Sequence, residues 1–160
     1  MIDDLYSDRI LRLAANMPRA GRLNAPHGSA ERSAKLCGSR IVVDLRLEHG
    51  RVADFAQDVK ACALGQAAAA VLGAHVIGAD ADEITAARDA LRAMLKAGGP
   101  PPVGRFADLA VLEPVKDFPP RHASTMLAFE AAVEALAQAA KAAHLSSDRV
   151  GATEPEPAPA

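Results

Sequence analysis

Two residues of this chain are best suited to chemistry by type, the cysteines Cys37 and Cys62, and there are no others. Each stands where secondary structure should change. Cys37 lies in a Cys-Gly-Ser turn just before the alternating run Ile41, Val43, Leu45 and Leu47, which has the period of a half-buried strand. His49-Gly50 forms a tight turn, and Val52, Phe55 and Val59 carry a second strand back. Cys62 follows at once and opens an alanine-rich helix from about Ala63. At a helix N-terminus the macrodipole favours a thiolate, which is the nucleophilic and metal-binding form. The hairpin separates the two thiols in sequence and can return them to one end of a sheet. Two thiols 25 positions apart (62 minus 37) are equally compatible with small buried hydrophobes, so spacing alone leaves both readings open.

The elements that would position these thiols follow from pattern. Asp3 or Asp4 is expected to cap a first helix carrying Tyr6, Ile10, Leu13, Ala14 and Met17 on one face, stopped by Pro18. Residues 19–29 read as a loop, and 30–36 as a short polar edge strand. After the Cys62 helix, aspartates at 80 and 82 cap a helix over about Glu83 to Ala97, ended by Gly98-Gly99 and three prolines. Phe106 to Leu112 suggest a short helix halted at Pro114. A long last helix is expected from about Ser124, with Met126, Phe129, Val133, Leu136 and Ala140 inward and Ser124 as its N-cap. The order of elements is α+β, with about three antiparallel strands packed against several helices. One domain over 1–145 and an unburied, disordered tail over 146–160 are expected.

Composition narrows the function. A core of 160 residues needs no staple, and with 3% aromatics and no Trp it must be built from Ala, Leu, Val and Ile. The net charge of -2, with no basic stripe, gives no electrostatic case for nucleic acid or an anionic membrane. The longest apolar run, Ala61 to Ile77, is too short and too polar to span a bilayer. The start Met-Ile-Asp-Asp lacks a secretory pattern, so a soluble cytoplasmic protein with reduced thiols or thiolate ligands is expected. No Ser/His/Asp setting, phosphate loop or HExxH stretch supports classical catalysis, and the expectation is a protein that is not an enzyme. His49, His75 and His144 carry no assigned role, and Asp80, Asp82 and Glu83 are explained by capping.

Cys37-Gly38, the hairpin, Cys62 opening an Ala-rich helix, and Phe118-Pro119-Pro120-Arg121 leading into a helix resemble the NifU N-terminal, IscU/SufU-type iron–sulfur assembly family. The segment Leu112 to Phe129 and the extra stretch 81–105 look closest to the SufU branch. The resemblance covers about residues 3 to 142 and implies a SufE/NifU-like fold. It also implies a scaffold that accepts sulfur from a cysteine desulfurase, holds zinc or a transient iron–sulfur cluster, and passes its cargo to apo iron–sulfur acceptor proteins. Carried over by position, Cys37 and Cys62 match the first two family cysteines, Ser39 stands at the family aspartate, and Ser124 at the third cysteine. Arg121 matches an arginine of the SufU branch. The implied ligand set is therefore Cys37, Cys62, His122 and Ser124, with His27, a partner or water as a further donor. Serine hydroxyls are poor ligands at neutral pH, which weakens cluster retention.

Two other functions stay open beside the scaffold. One is a degenerate relative that binds or regulates a cysteine desulfurase without cluster chemistry. The other is a redox protein cycling a Cys37–Cys62 disulfide, which requires the two sulfurs to reach bonding distance.

Overall fold

The structure, a computed structural model, describes residues 6–35 and 38–153, with side chains as far as residue 142. In chain order the elements are α1 (Asp8–Ala15), β1 (Gly28–Ala34), β2 (Ser39–Glu48), β3 (Arg51–Lys60), α2 (Ala63–His75) and α3 (Ala81–Ala97). A 3-10 segment (Gly104–Asp117), a 3-10 turn (Pro119–Arg121) and the long helix α4 (His122–Thr153) complete them. The strands form one antiparallel sheet in the order β1-β2-β3. This is the α+β layout expected from the sequence.

The hairpin follows from its turn. His49 (φ 53°) and Gly50 (φ 77°) are both left-handed, the pair of conformations a two-residue type I′ turn needs to match strand twist. Val52 and Phe55 lie three residues apart, and in a regular strand they would face opposite sides. The register shifts between Arg46↔Asp54 and Leu47↔Val52, leaving Ala53 as the extra residue, so both side chains turn into the core.

α4 lies across β1 and β2 and also packs on α2 and α3, with α2 wedged between α1 and α4. The small residues of α2 permit this: Ala67 to Gly73 are all buried. Phe106 and Phe129, two of the four phenylalanines, meet edge to face with centroids 5.3 Å apart. Part of the sheet's other face is covered by the loop before β1. There Asp44 is fully buried and accepts from Arg22 Nε (2.6 Å), Ser29 Oγ (2.6 Å) and the Leu23 amide (3.1 Å).

Several expectations are corrected. Ser7 caps α1 by accepting from the Ile10 amide, while Asp3 and Asp4 lie outside the described residues. The segment after Gly104 does not halt at Pro114 but continues as 3-10 turns to Asp117, since short i→i+3 turns tolerate a missing amide donor better than an α-helix does. α4 starts at His122 rather than Ser124. Ala140 is exposed and Ala139 buried in its place, because sheet and helices together enclose a broad arc of α4 that includes Ala128, Ala132 and Ala135. The backbone of α4 stays helical to Thr153, past Ser146 where a tail was expected; side chains beyond 142 and residues 154–160 lie outside the described residues.

A Cβ on Gly28 would lie 1.9 Å from the Ala135 carbonyl oxygen, so Gly28→Ala should destabilise by about 1–3 kcal/mol or more in urea unfolding. Burial pushes the Asp44 carboxyl up, but the bonds from Arg22, Ser29 and Leu23 outweigh it and hold it below the ordinary value. Its contribution is therefore complete above the unfolded-chain value of about 3.9 and is lost as pH falls through the lower folded value. Asp44→Asn should weaken folding at pH 7 by roughly 1–3 kcal/mol and flatten that acid-side decline, as measured by denaturant melts across pH.

Candidate functional site

Three chain segments converge at one end of the sheet. The pairs Ala34↔Ser39 and Arg40↔Lys60 put the β1–β2 connection and the end of β3 side by side. Gly38 (φ 70°) helps close that connection, its amide donating to the Ala34 carbonyl at 3.0 Å. Two residues past Lys60, Cys62 is the N-cap of α2, with extended backbone (φ -66°, ψ 170°) and no side-chain capping bond. Its thiol is half-buried and free. Cys37 lies outside the described residues.

The first turn of α4 meets this junction. The Cys62 Sγ is 3.3 Å from the Ser124 Oγ, where either atom can donate. Ser124 is 1% exposed, and its hydroxyl also reaches the Arg121 carbonyl at 3.2 Å. Thr125 Oγ1 donates to that same carbonyl at 2.7 Å. Ser124 is thus not the N-cap expected from the sequence: its oxygen donates backwards to residue 121 instead of accepting from an amide ahead. An N-cap accepts because the first amides of a helix lack partners, whereas the start at His122 puts Ser124 inside the helix.

His122 is turned elsewhere. Its ring is 5% exposed, and Nε2 lies 2.9 Å from the Val115 carbonyl. A carbonyl only accepts, so Nε2 carries a proton and donates it to Val115. Residues two apart on a helix do not face each other, so α4 aims Ser124 at Cys62 and His122 at the 3-10 segment. His27 is removed from the site altogether. Its Nδ1 accepts from the Leu47 amide at 2.9 Å, and Leu47 is seven residues along β2 from Arg40, about 23 Å at strand rise. That correction excludes His27 as a further donor at Cys62. Ser39 begins β2 and is buried, and Arg121 is half-buried in the 3-10 turn. Among the described residues no three His, Cys, Asp or Glu side chains converge on a metal-sized site.

Sequence reasoning overlooked two neighbours of this junction. Thr125 shares the acceptor that Ser124 uses, and nothing in its residue type signals that. Gly65 sits within the alanine-rich helix, and a glycine inside a helix is the signal that hints at a close backbone approach.

Known proteins are similar to this chain over most of its length. The family described as NifU-like N terminal domain matches residues 5–138. The iron-sulfur cluster assembly scaffold protein IscU of Thermotoga maritima is 26% identical over 132 residues, covering 82% of this chain and 92% of that protein. IscU of Streptococcus pyogenes serotype M1 is 26% identical over 114 residues, covering 71% and 72%. Among solved structures, the N-terminal part of a nitrogen-fixing NifU-like protein from Brucella abortus is 52% identical with a TM-score of 0.86, covering 88% of this chain and 97% of that one. The putative iron-sulfur cluster assembly scaffold protein for the SUF system from Fervidobacterium islandicum AW-1 shares the fold at 19% identity, with a TM-score of 0.73 and coverage of 82% and 96%. The family match takes in the whole sheet, α2 and the part of α4 that reaches Cys62, and this chain belongs to the NifU-like N-terminal domain family.

Proposed function

We propose that this chain is an iron–sulfur cluster assembly protein, a carrier without turnover chemistry of its own, that takes up sulfur or metal at Cys37 and Cys62. The observation that carries the reading is the meeting of Cys62 and Ser124 across two helices, 3.3 Å apart, at positions the family resemblance assigns to two of its cysteines. Two ligands of one tetrahedral zinc, with bonds of about 2.3 Å to sulfur and about 2.1 Å to oxygen, would lie about 3.6 Å apart. The spacing suits a shared ion and equally suits a plain hydrogen bond.

The donor chemistry favours sulfur transfer over cluster retention. Cys62 offers a sulfur nucleophile and ligand, whereas the Ser124 hydroxyl is a weak ligand and already has the Arg121 carbonyl within reach. The Nε2–Val115 bond fixes the His122 ring as outer-shell bonds do for ligating histidines, which leaves Nδ1 as the nitrogen that could ligate when unprotonated. Its helix face, however, differs from that of Ser124. In the transfer, the Cys62 thiolate attacks the terminal sulfur of a desulfurase persulfide. One S–S bond forms as another breaks, and the desulfurase cysteine leaves as thiolate, so no external oxidant is needed. The partners are a cysteine desulfurase and apo iron–sulfur acceptors, and the cytoplasm is the place of action; no helix among the described residues is long and apolar enough to cross a membrane.

The serines at 39 and 124 support a second reading, a relative that binds a desulfurase without handling clusters. The two readings separate on incubation with a cysteine desulfurase and labelled cysteine. Transfer predicts label on wild type, lost in Cys62→Ala and reduced in Cys37→Ala; an unlabelled wild type that still binds the desulfurase selects the partner reading. Anaerobic zinc titration supplies an independent check. Ser124→Cys should tighten zinc binding about tenfold or more, equivalent to ~1.4 kcal/mol, and unchanged affinity would remove position 124 from the ligand set.

A further inference from the structure

α2 is built from small residues and is almost wholly buried, yet only one position in its first turn has no side chain at all. A Cβ on Gly65 would lie 2.9 Å from the Ser124 carbonyl oxygen and 2.9 Å from the Ala61 Cβ. The first of these contacts is with backbone and cannot be relieved by a rotamer change. Ser124 is the residue whose hydroxyl reaches Cys62 at 3.3 Å. Glycine is less favourable than alanine inside a helix, although alanine fills position 63 and positions 67–70 of the same stretch.

We infer that Gly65 is a positioning residue, whose missing methyl lets the first turn of α4 rest on the first turn of α2 and so sets the reach between Cys62 and position 124. Its functional meaning rests on the reading of Cys62 as the acceptor, but its geometry does not. With alanine at 65, the Ser124 backbone must retreat by a few tenths of an ångström to restore ordinary contact, and its side chain moves away from the sulfur with it.

The test uses the full chain in which C37S/S124C leaves two thiols, at 62 and 124, equilibrated with glutathione disulfide. Closure transfers two electrons from the thiol pair to the oxidant, which leaves as two glutathione thiols. The positioning role predicts ready closure in C37S/S124C and at least a tenfold lower effective concentration when G65A is added. It also predicts a lower Tm for G65A, opposite to the rise that glycine to alanine produces in an unconstrained helix. A61G added to G65A should not restore closure, because the Ser124 carbonyl remains in the way. The inference is overturned if G65A raises Tm and leaves closure within twofold, or if A61G restores it. It is also overturned if C37S/S124C itself fails to close, a result that decides the matter even should G65A not fold. Labelling of wild-type Cys62 by a desulfurase is scored separately: its absence counts against the sulfur-transfer reading and leaves the closure result to judge Gly65.

Discussion

The site depends on how closely α4 can lie against its neighbours, and backbone contact sets that limit. At Gly28 the carbonyl of Ala135 occupies the space a side chain would need, and at Gly65 the carbonyl of Ser124 nearly does. These two glycines lie under different turns of one helix. The first presses α4 onto the edge strand, and the second presses its start onto α2. Interiors at crystal-like density have no slack to absorb an added methyl, so the pose of α4 is fixed at both contacts. Fixing that pose fixes what faces Cys62.

A polar anchor secures the opposite face of the sheet. Asp44 sits on the central strand under the 19–27 loop, and its carboxylate is fully buried with three different donors. A buried charge is tolerable only with such complete pairing, which ties the loop to the sheet as a unit. Residues 19–21 of that loop also bond to β3 through Gln57, covering part of its free edge. The loop thus covers the Asp44 end of that face and leaves the Glu31–Arg40 end exposed, and Cys62 stands where β3 passes into α2.

Within the NifU-like family frame, this chain keeps the architecture and sets a hydroxyl oxygen, a harder donor than sulfur, opposite Cys62. A hydroxyl opposite Cys62 can share a proton with sulfur, where a thiolate would instead share a metal. The Arg121 carbonyl, reached by both Ser124 and Thr125, leaves the Ser124 proton free to turn toward the sulfur without stranding that acceptor.

By itself the sequence determined the order of elements, the hairpin and the place of Cys62 at a helix start. These depend on local signals, namely period-two alternation in β2, two left-handed turn residues, and capping such as the Asp80–Glu83 box. The resemblance to iron–sulfur assembly proteins was legible for the same reason, since its motifs occur in order along the chain. Only the tertiary structure decided which long-range partners meet. That His122 turns to Val115 while Ser124 turns to Cys62 depends on α4 beginning two residues earlier than its capping pattern suggests. That Gln57 lies buried, donating to the Ala69 carbonyl beside Gly73, depends on the approach of α2 to β3. Pattern reports the face on which a residue lies; distances of a few ångströms between faces arise only when helices and sheet close on one another.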